Sequence, residues 1–301
     1  MPLPRSCLGL PAPAKLNLFL HVLGRRPDGK HLLESVFILI DLADDIDLTE
    51  RADGRIVRTG DLECEPERDL CVRAALALRA AAGDRGAGLG AEIRVGKRIP
   101  AGAGMGGGSS DAATTLIGLN RLWRLGLSRP TLERIGERLG ADVPFFIRGQ
   151  NAFVEGIGER ISPLPVTPAE YLVIWPGRGV STAEIFGSPS LTRDSESQTI
   201  HVFSDLLRSR WPDLPGRNDL QRTAARIEPA VDEALGALRA LMPAVAEPRM
   251  TGSGSAVFAP VRPGCNGFEL PRLPEGWRGF CVRSLPEHPL RAWSEEAEEE
   301  N

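Results

Sequence analysis

Lysine is almost missing from this chain. Of its 36 basic residues only Lys15, Lys30 and Lys97 are lysine, and the other 33 are arginine. A bias toward GC-rich codons accounts for the ratio, so a lysine that survives it marks a place where a compact, mobile ammonium can be needed and a planar guanidinium will not serve. Cysteine is sparse as well: Cys7, Cys64, Cys71, Cys265 and Cys281 are odd in number and without CxxC spacing. With no secretory h-region after Met1, the expectation is a cytoplasmic chain with free thiols. The four histidines, His21, His31, His201 and His288, are scattered and give little support for a metal site. No window approaches 18 consecutive apolar residues, so no membrane span is expected. Positive charge is not in excess either. A formal net charge of -4 leaves no basic footprint for DNA or RNA, while phosphorylated small molecules stay open, because they need local donors and not a basic surface.

What is present is ample for two domains of ordinary size: 301 residues can bury roughly 75% of the unfolded surface without staples or a metal. Thirty-three glycines and 25 prolines make turns abundant and fibrous repeats untenable. Strands are expected at 14–22, 33–42, 44–49, 55–59 and 91–95. The alanine- and leucine-rich stretch 67–82 reads as a helix ended by Gly83, and a second helix follows a glycine run at 102–108. Ser128 caps a third, with Pro130 near its start and Gly140 at its close. Residues 145–147 and 151–155 read as a strand pair that finishes the first domain. The linker-like SPLPVTP of 162–168 sets a boundary near 164, dividing 1–164 from 165–301. The second part is expected to open with a strand at 171–175 and to carry two or three helices within 198–241. Strands at 247–250 and 255–258 flank another glycine turn, a strand at 280–284 closes the chain, and an acidic tail follows. The class is α+β, not a run of βαβ units.

The strongest local signal is the run IPAGAGMGGGSSDAA from Ile99 to Ala113. Glycines at Gly102, Gly104, Gly106, Gly107 and Gly108 permit positive φ and close backbone approach, turning N–H groups inward as an anion nest. The helix behind them adds unpaired N–H groups and the positive end of its dipole. Ser109 and Ser110 add hydroxyls, and Asp111 either faces a metal-bound phosphate or complements the dipole. No Gly-Lys-Ser/Thr follows, so this is no Walker A loop, and it does not open an N-terminal βαβ unit as a dinucleotide fingerprint would.

This loop resembles the glycine-rich motif of the small-molecule kinases that include galactokinase, homoserine kinase, mevalonate kinase and phosphomevalonate kinase. PAKLNLFL from Pro13, GADVPFF from Gly140 and TGSGSAVF from Thr251 are similar to motifs of one family among them, the 4-diphosphocytidyl-2-C-methyl-D-erythritol kinases. The resemblance runs over nearly the whole chain in the right order. It implies ATP-dependent phosphorylation of the 2-hydroxyl of a small-molecule substrate carrying a cytidine diphosphate, and the chemistry of ATP adds Mg²⁺; charge and hydropathy leave no nucleic-acid or membrane partner, and a monomer and a weak homodimer are both open. The resemblance also implies an N-terminal domain like a ribosomal-protein domain and a C-terminal ferredoxin-like α/β sandwich; the chain departs from the family between Gly264 and Gly276, where glycines and prolines leave the last helix shortened or lost.

Residue by residue, the resemblance makes Asp142 the general base toward the substrate hydroxyl and pairs it with Lys15. Orientation alone, with late proton loss in a dissociative transfer, is an open alternative for Asp142. Lys15 lies between Ala14 and Leu16 in a strand, where an unpaired lysine is unusual, and a nearby ammonium favours the ionised carboxylate. Asn17 points to the same strand face as Lys15 and in the family contacts substrate. Asp28-Gly29-Lys30-His31 stands where the family commonly reads Asp-Gly-Tyr-His. His31 fits, whereas Lys30 replaces an aromatic that stacks on cytosine and can offer only its alkyl stem or its charge. Phe186 matches the second aromatic of that clamp. Lys97 and Pro100 lie at the nucleotide side of the glycine loop, and Gly252, Ser253 and Gly254 form a second turn over the substrate diphosphate. Asn218 and Asp219 look like the family's Asn-Asp pair before a helix. A mevalonate- or homoserine-type kinase shares the nest but has no use for a cytosine clamp. An RNA-binding or assembly module is a further alternative, opposed by the net charge.

Overall fold

In the computed structural model the described residues are 5–61, 65, 67–201, 203–205, 214–241, 246–261 and 272–295. Two long antiparallel strands, β1 (Ser6–Arg25) and β2 (His31–Arg51), organise them. β1 lies along one edge of β2, and β4 (Gly90–Gly96) and β5 (Ala152–Gly156) share the other edge. β3 (Ile56–Gly60) and β6 (Arg160–Pro163) complete a six-stranded sheet in the order β3-β4-β2-β5-β6, with β1 on β2. β3 and β4 are parallel and joined through α1 (Leu70–Ala81), so one βαβ crossover sits inside an otherwise antiparallel sheet. The two strands expected at 33–42 and 44–49 are one strand. Their apparent break is a bulge, in which Ala14 alone faces Ile40, Asp41 and Leu42 between the pairs Pro13–Ala43 and Lys15–Leu39. A bulge re-aims the side chains beside it, and here its neighbour is Lys15.

β7 (Glu170–Trp175), β8 (Arg249–Met250), β9 (Val257–Val261) and β10 (Arg278–Arg283) form a second sheet in the order β10-β7-β9-β8. Period-2 alternation sorts its side chains between two cores. Tyr171, Val173 and Phe258 pack against Leu16, Leu18, Ile38 and Ile40 of the first sheet. Leu172, Ile174, Val257 and Ala259 pack on the other face against α6 (Gln221–Ile227) and α7 (Ala230–Leu241), through Ala224, Val231, Leu235 and Leu238. A third core lies between the first sheet and α1, α2 (Gly107–Leu122), α3 (Arg129–Glu137) and α4 (Val143–Arg148). The result is four layers, helix–sheet–sheet–helix. Each fully buried aliphatic or aromatic side chain contributes roughly 1.5–3 kcal/mol, so both sheets are held by burial on two faces.

Two further expectations change. Residues 145–147 belong to α4, not to a strand: Pro144 sits in the first turn, Gly149 ends the helix at φ 68°, and Val143, Phe145, Phe146 and Ile147 are all buried. An element buried all round shows no amphipathic period to read. Chain beyond β10 returns to the first unit: Leu285 N–H donates to the Leu39 carbonyl, His288 N–H to Gly149, and Leu290 and Trp293 join the helix-side core. Cys7 and Cys71 are free thiols, but Cys281 is disulfide-bonded. Most of the stretch 264–276 and the acidic tail beyond 295 lie outside the described residues. Among the described residues no helix is long and apolar enough to cross a membrane.

Candidate active site

The glycine run leaves β4 and enters α2 with Gly102, Gly104 and Gly106 at φ 63°, 75° and 74°. Two of these glycines are required by contact as well as by φ. A Cβ on Gly104 would collide with the Thr251 carbonyl, and one on Gly106 would lie 2.9 Å from the Phe146 ring and 3.2 Å from Lys15 Cγ. Gly106 is the N-cap of α2 and no side chain caps the helix, so its first N–H groups are left for an anion. The loop lines a cleft of about 310 Å³, to which Lys97, Pro100, Ser109, Thr182, Ser253 and Gly254 also contribute.

Ser110 and Asp111 do not reach that cleft. Ser110 Oγ donates to the Pro13 carbonyl at 2.7 Å, and Asp111 Oδ2 accepts from Lys97 Nζ at 2.8 Å in the protein interior. Lys97 also donates to Asp44 Oδ2 at 2.6 Å. Burial alone would depress the Lys97 ammonium, but the two carboxylates overcome it and push its pKa up. Burial and the like charge of Asp44 raise Asp111 to about 7, against the pull of Lys97. Asp44 in addition accepts the N–H groups of Arg98 at 2.5 Å and Ile99 at 2.8 Å. It thereby fixes the path into the loop, and the sequence reading did not single it out.

Lys15 and Asp142, 127 positions apart, meet beside Gly106. Lys15 Nζ lies 3.9 Å from Asp142 Oδ2, 4.9 Å from the centre of the Phe37 ring, and donates to Asn17 Oδ1. Burial holds the Lys15 ammonium below its ordinary range, and Asp142 partly offsets this. Asp142 is the N-cap of α4 but makes no capping hydrogen bond. Its carboxylate, about a third exposed, is thus free to meet a ligand. Asn17 is wholly enclosed: its Nδ2 donates to Ser35 Oγ at 2.9 Å, and its backbone N–H donates to Thr251 Oγ1 at 2.9 Å. Thr251 Oγ1 donates in turn to Asn17 Oδ1 at 3.3 Å. So Asn17 positions Lys15 instead of facing the cleft, and Ser35 and Thr251 join the site unannounced by any motif-level role.

The second glycine turn closes against the first. Asn218 Nδ2 donates to the carbonyls of Met250 at 2.7 Å and Gly252 at 2.8 Å, and a Cβ on Gly252 would sit 3.2 Å from Lys15 Nζ. Ser253 Oγ and Thr182 Oγ1 share a hydrogen bond of 2.7 Å across the cleft. Asp219 faces away, accepting from Val22 N–H, Ser195 Oγ and Arg217 Nε. Thr251→Val keeps the shape and removes both hydroxyl bonds to Asn17. It is expected to lower stability by about 1–2 kcal/mol and kcat by about 10-fold, read by thermal unfolding and steady-state rates; an unchanged kcat would remove Thr251 from the positioning network.

A second cavity, about 530 Å³, opens beyond Asp142 and is lined by Arg25, Lys30, His31, Ala141 and Phe186 among others. His31 and Phe186 are stacked, with ring centres 4.7 Å apart and planes 29° apart. Lys30 is exposed at the rim. Asp28 is not among the lining residues; it accepts the Lys30 N–H at 3.1 Å and pairs with Arg26 at 3.1 Å, as a turn residue does. Burial, then Arg193 and Arg25, lower the His31 pKa and so favour the neutral ring.

The chain as a whole has relatives among known proteins. The family model "GHMP kinases N terminal domain" matches residues 69–150. A 4-diphosphocytidyl-2-C-methyl-D-erythritol kinase of Paracidovorax citrulli is 51% identical over 294 residues, covering 96% of this chain and 98% of its own. One from Ralstonia nicotianae is 50% identical over 95% of this chain and 96% of its own. Among solved structures, a 4-(cytidine 5'-diphospho)-2C-methyl-D-erythritol kinase superposes with a TM-score of 0.75 at 32% identity, covering 93% of this chain and 99% of that one. Mevalonate kinase of Methanococcus jannaschii, at 13% identity and a TM-score of 0.63 over 94% of this chain and 99% of its own, shares the fold.

Proposed function

The chain belongs to the 4-diphosphocytidyl-2-C-methyl-D-erythritol kinase family of the GHMP kinases, and from that premise we infer that it phosphorylates the 2-hydroxyl of 4-diphosphocytidyl-2-C-methyl-D-erythritol with ATP, in the non-mevalonate route to isoprenoid precursors. It is a phosphotransferase with an alcohol group as acceptor. The observation that carries the reading is the Lys15–Asp142 pair, which lies against Gly106 of the glycine nest, while Ala141, next to Asp142 in the chain, lines the cavity of His31 and Phe186.

Phosphoryl transfer asks for an oriented hydroxyl, neutralised phosphate charge and exclusion of water. In this reading the N–H groups of the loop at Gly102–Gly108 and the uncapped start of α2 hold the nucleotide phosphates, with Ser109 and Ser253 at the rim. Asp142 orients the substrate hydroxyl and takes its proton. Lys15 keeps that carboxylate ionised and stabilises the oxygen as its proton leaves. Mg²⁺ supplies charge neutralisation at the β- and γ-phosphates when bound. Ser110 is buried and donates to the Pro13 carbonyl, so the half-buried Asp142 carboxylate is the group that would meet the ion or its waters. The same resemblance supports reading the first unit as ribosomal-protein-like and the second as ferredoxin-like; the linker-like composition of 162–168 supports a division near residue 164, and a monomer and a weak homodimer are both open.

The deciding experiment offers purified protein ATP and Mg²⁺ with the cytidylyl substrate, mevalonate or homoserine in turn. Turnover confined to the cytidylyl alcohol is expected; turnover of only the other two would reject the substrate and keep the kinase class. Lys30 yields a prediction of its own. Lys30→Tyr restores an aromatic face at the rim, and base–aromatic stacking of about 1–3 kcal/mol is expected to lower KM for the cytidylyl substrate by about 10-fold and to flatten its salt dependence. An unchanged KM at low and high salt would show that position 30 does not meet the base.

A further inference from the structure

Arg193 lies in the chain after α5 (Thr182–Gly187), outside every motif of the sequence, yet it holds both rings of the second cavity. Its Nε donates to His31 Nε2 at 3.1 Å. Nη2 donates to the carbonyls of Phe186 at 2.9 Å and Ser188 at 2.8 Å, and Nη1 to that of Leu191 at 3.1 Å. One planar fork thus joins the start of β2, the end of α5 and the loop behind it. Lysine, with donors on a single point, cannot span these acceptors.

The bond to His31 has a chemical consequence. A guanidinium is always a donor, so Nε2 must present its lone pair, and the neutral ring carries its hydrogen on Nδ1. Protonating the ring would set two cations donor to donor. The lowered basicity of His31 beside Arg193 and Arg25 agrees with this. The remaining Nδ1–H is the only N–H the ring has to offer a ligand.

We propose that Arg193 is a positioning residue for base recognition: it fixes His31 as the Nδ1–H tautomer and holds its ring on Phe186, so that the cavity presents a donor edge to a pyrimidine acceptor. This rests on the cytidylyl substrate of the proposed function. A donor suits cytosine, whose N3 is an acceptor, and disfavours uracil, whose N3 carries hydrogen. With Lys30 in place of an aromatic at the rim, the His31–Phe186 platform becomes the main apolar surface for the base, and Arg193 is what keeps it assembled.

The test has two parts. Ring ¹⁵N spectra of the ligand-free enzyme, with the His31 signal identified by its loss in His31→Gln, are expected to show the Nδ1–H tautomer in the wild type and a mixture, with a raised pKa, in Arg193→Gln. A wild-type ring that is Nε2–H or protonated at pH 7, or a pattern unmoved by Arg193→Gln, overturns the proposal whichever alcohol the enzyme phosphorylates. Calorimetry with cytidine and uridine 5′-diphosphates, and steady-state rates, form the second part. Arg193→Gln and Arg193→Lys are both expected to raise KM for the cytidylyl substrate by about 10-fold, the scale of one or two net hydrogen bonds. KM for ATP stays in place, kcat changes by less than about 3-fold, and the preference for the cytidine over the uridine diphosphate shrinks. A fall in kcat with KM unchanged, or full rescue by lysine, overturns it. Failure of the wild type to use the cytidylyl alcohol is a separate result that strikes the proposed substrate, and the spectra still decide the tautomer.

Discussion

Asp142→Asn is expected to lower kcat by about 10³-fold, within the 10²–10⁴ range of a positioned proton acceptor, while the protein melts at nearly the wild-type temperature. The two halves of that expectation have separate causes. Asn has the shape of Asp and can still accept a hydrogen bond from the substrate hydroxyl, so orientation survives. It has no charge to take up the proton, and it no longer opposes the depression of the Lys15 pKa that burial produces. Stability should hold because the Asp142 side chain makes no capping bond to α4 and its pairing with Lys15, at 3.9 Å and about a third exposed, is worth little in water. Loss of activity without loss of fold separates a chemical role from a structural one. A drop smaller than about 10-fold would leave orientation as the whole of what Asp142 does.

Much of this site was legible because its chemistry needs unusual residues. A lysine in an apolar strand, a five-glycine run before a helix and a histidine after a turn are costly in any other setting; the glycine run and His31 each line a cavity, and Lys15 lies buried against Gly106 and Asp142. What was not legible is rotation and partnership. The sequence places Ser109, Ser110 and Asp111 at a helix start, but successive side chains diverge by about 100°, so Ser109 lines the cleft while Ser110 and Asp111 turn inward. Asn17 was expected to touch substrate and instead braces Lys15, because Thr251, 234 positions away, occupies its backbone donor. Asp44, Ser35 and Arg193 are ordinary polar residues in strands and a loop, and only the fold shows what each one holds. In the fold itself, six-residue α4, buried on all sides, carries no pattern that tells a helix from a strand; β7 and β9 are equally short, apolar runs, and only the structure shows them alternating between two cores.

Lys15→Arg is expected to cost at least about 10² in kcat although the charge is kept. The reason is enclosure. Lys15 is only 3% exposed, and glycine backbones stand against it on two sides: a methyl group at Gly106 would reach within 3.2 Å of Cγ, and one at Gly252 within 3.2 Å of Nζ. A guanidinium is broader than an ammonium and brings five donors where Asn17 Oδ1 and Asp142 are the acceptors at hand. Each buried donor left over costs about 1–3 kcal/mol, so the arginine either displaces the glycine turns or swings toward Asp142 and blocks the hydroxyl's place. Melting curves identify the folded fraction on which kcat is taken, and Lys15→Met, near in size and without charge, isolates the loss of charge from the loss of fit. The pH profile supplies an independent readout. Burial lowers the Lys15 pKa, so in the wild type the rate falls as pH rises through that lowered value and the ammonium is lost. Arginine does not deprotonate in this range, so the residual activity of Lys15→Arg should lack that basic limb. Near-normal turnover, or a basic limb that persists in the arginine variant, would mean that the ammonium at position 15 is not what the transfer step uses.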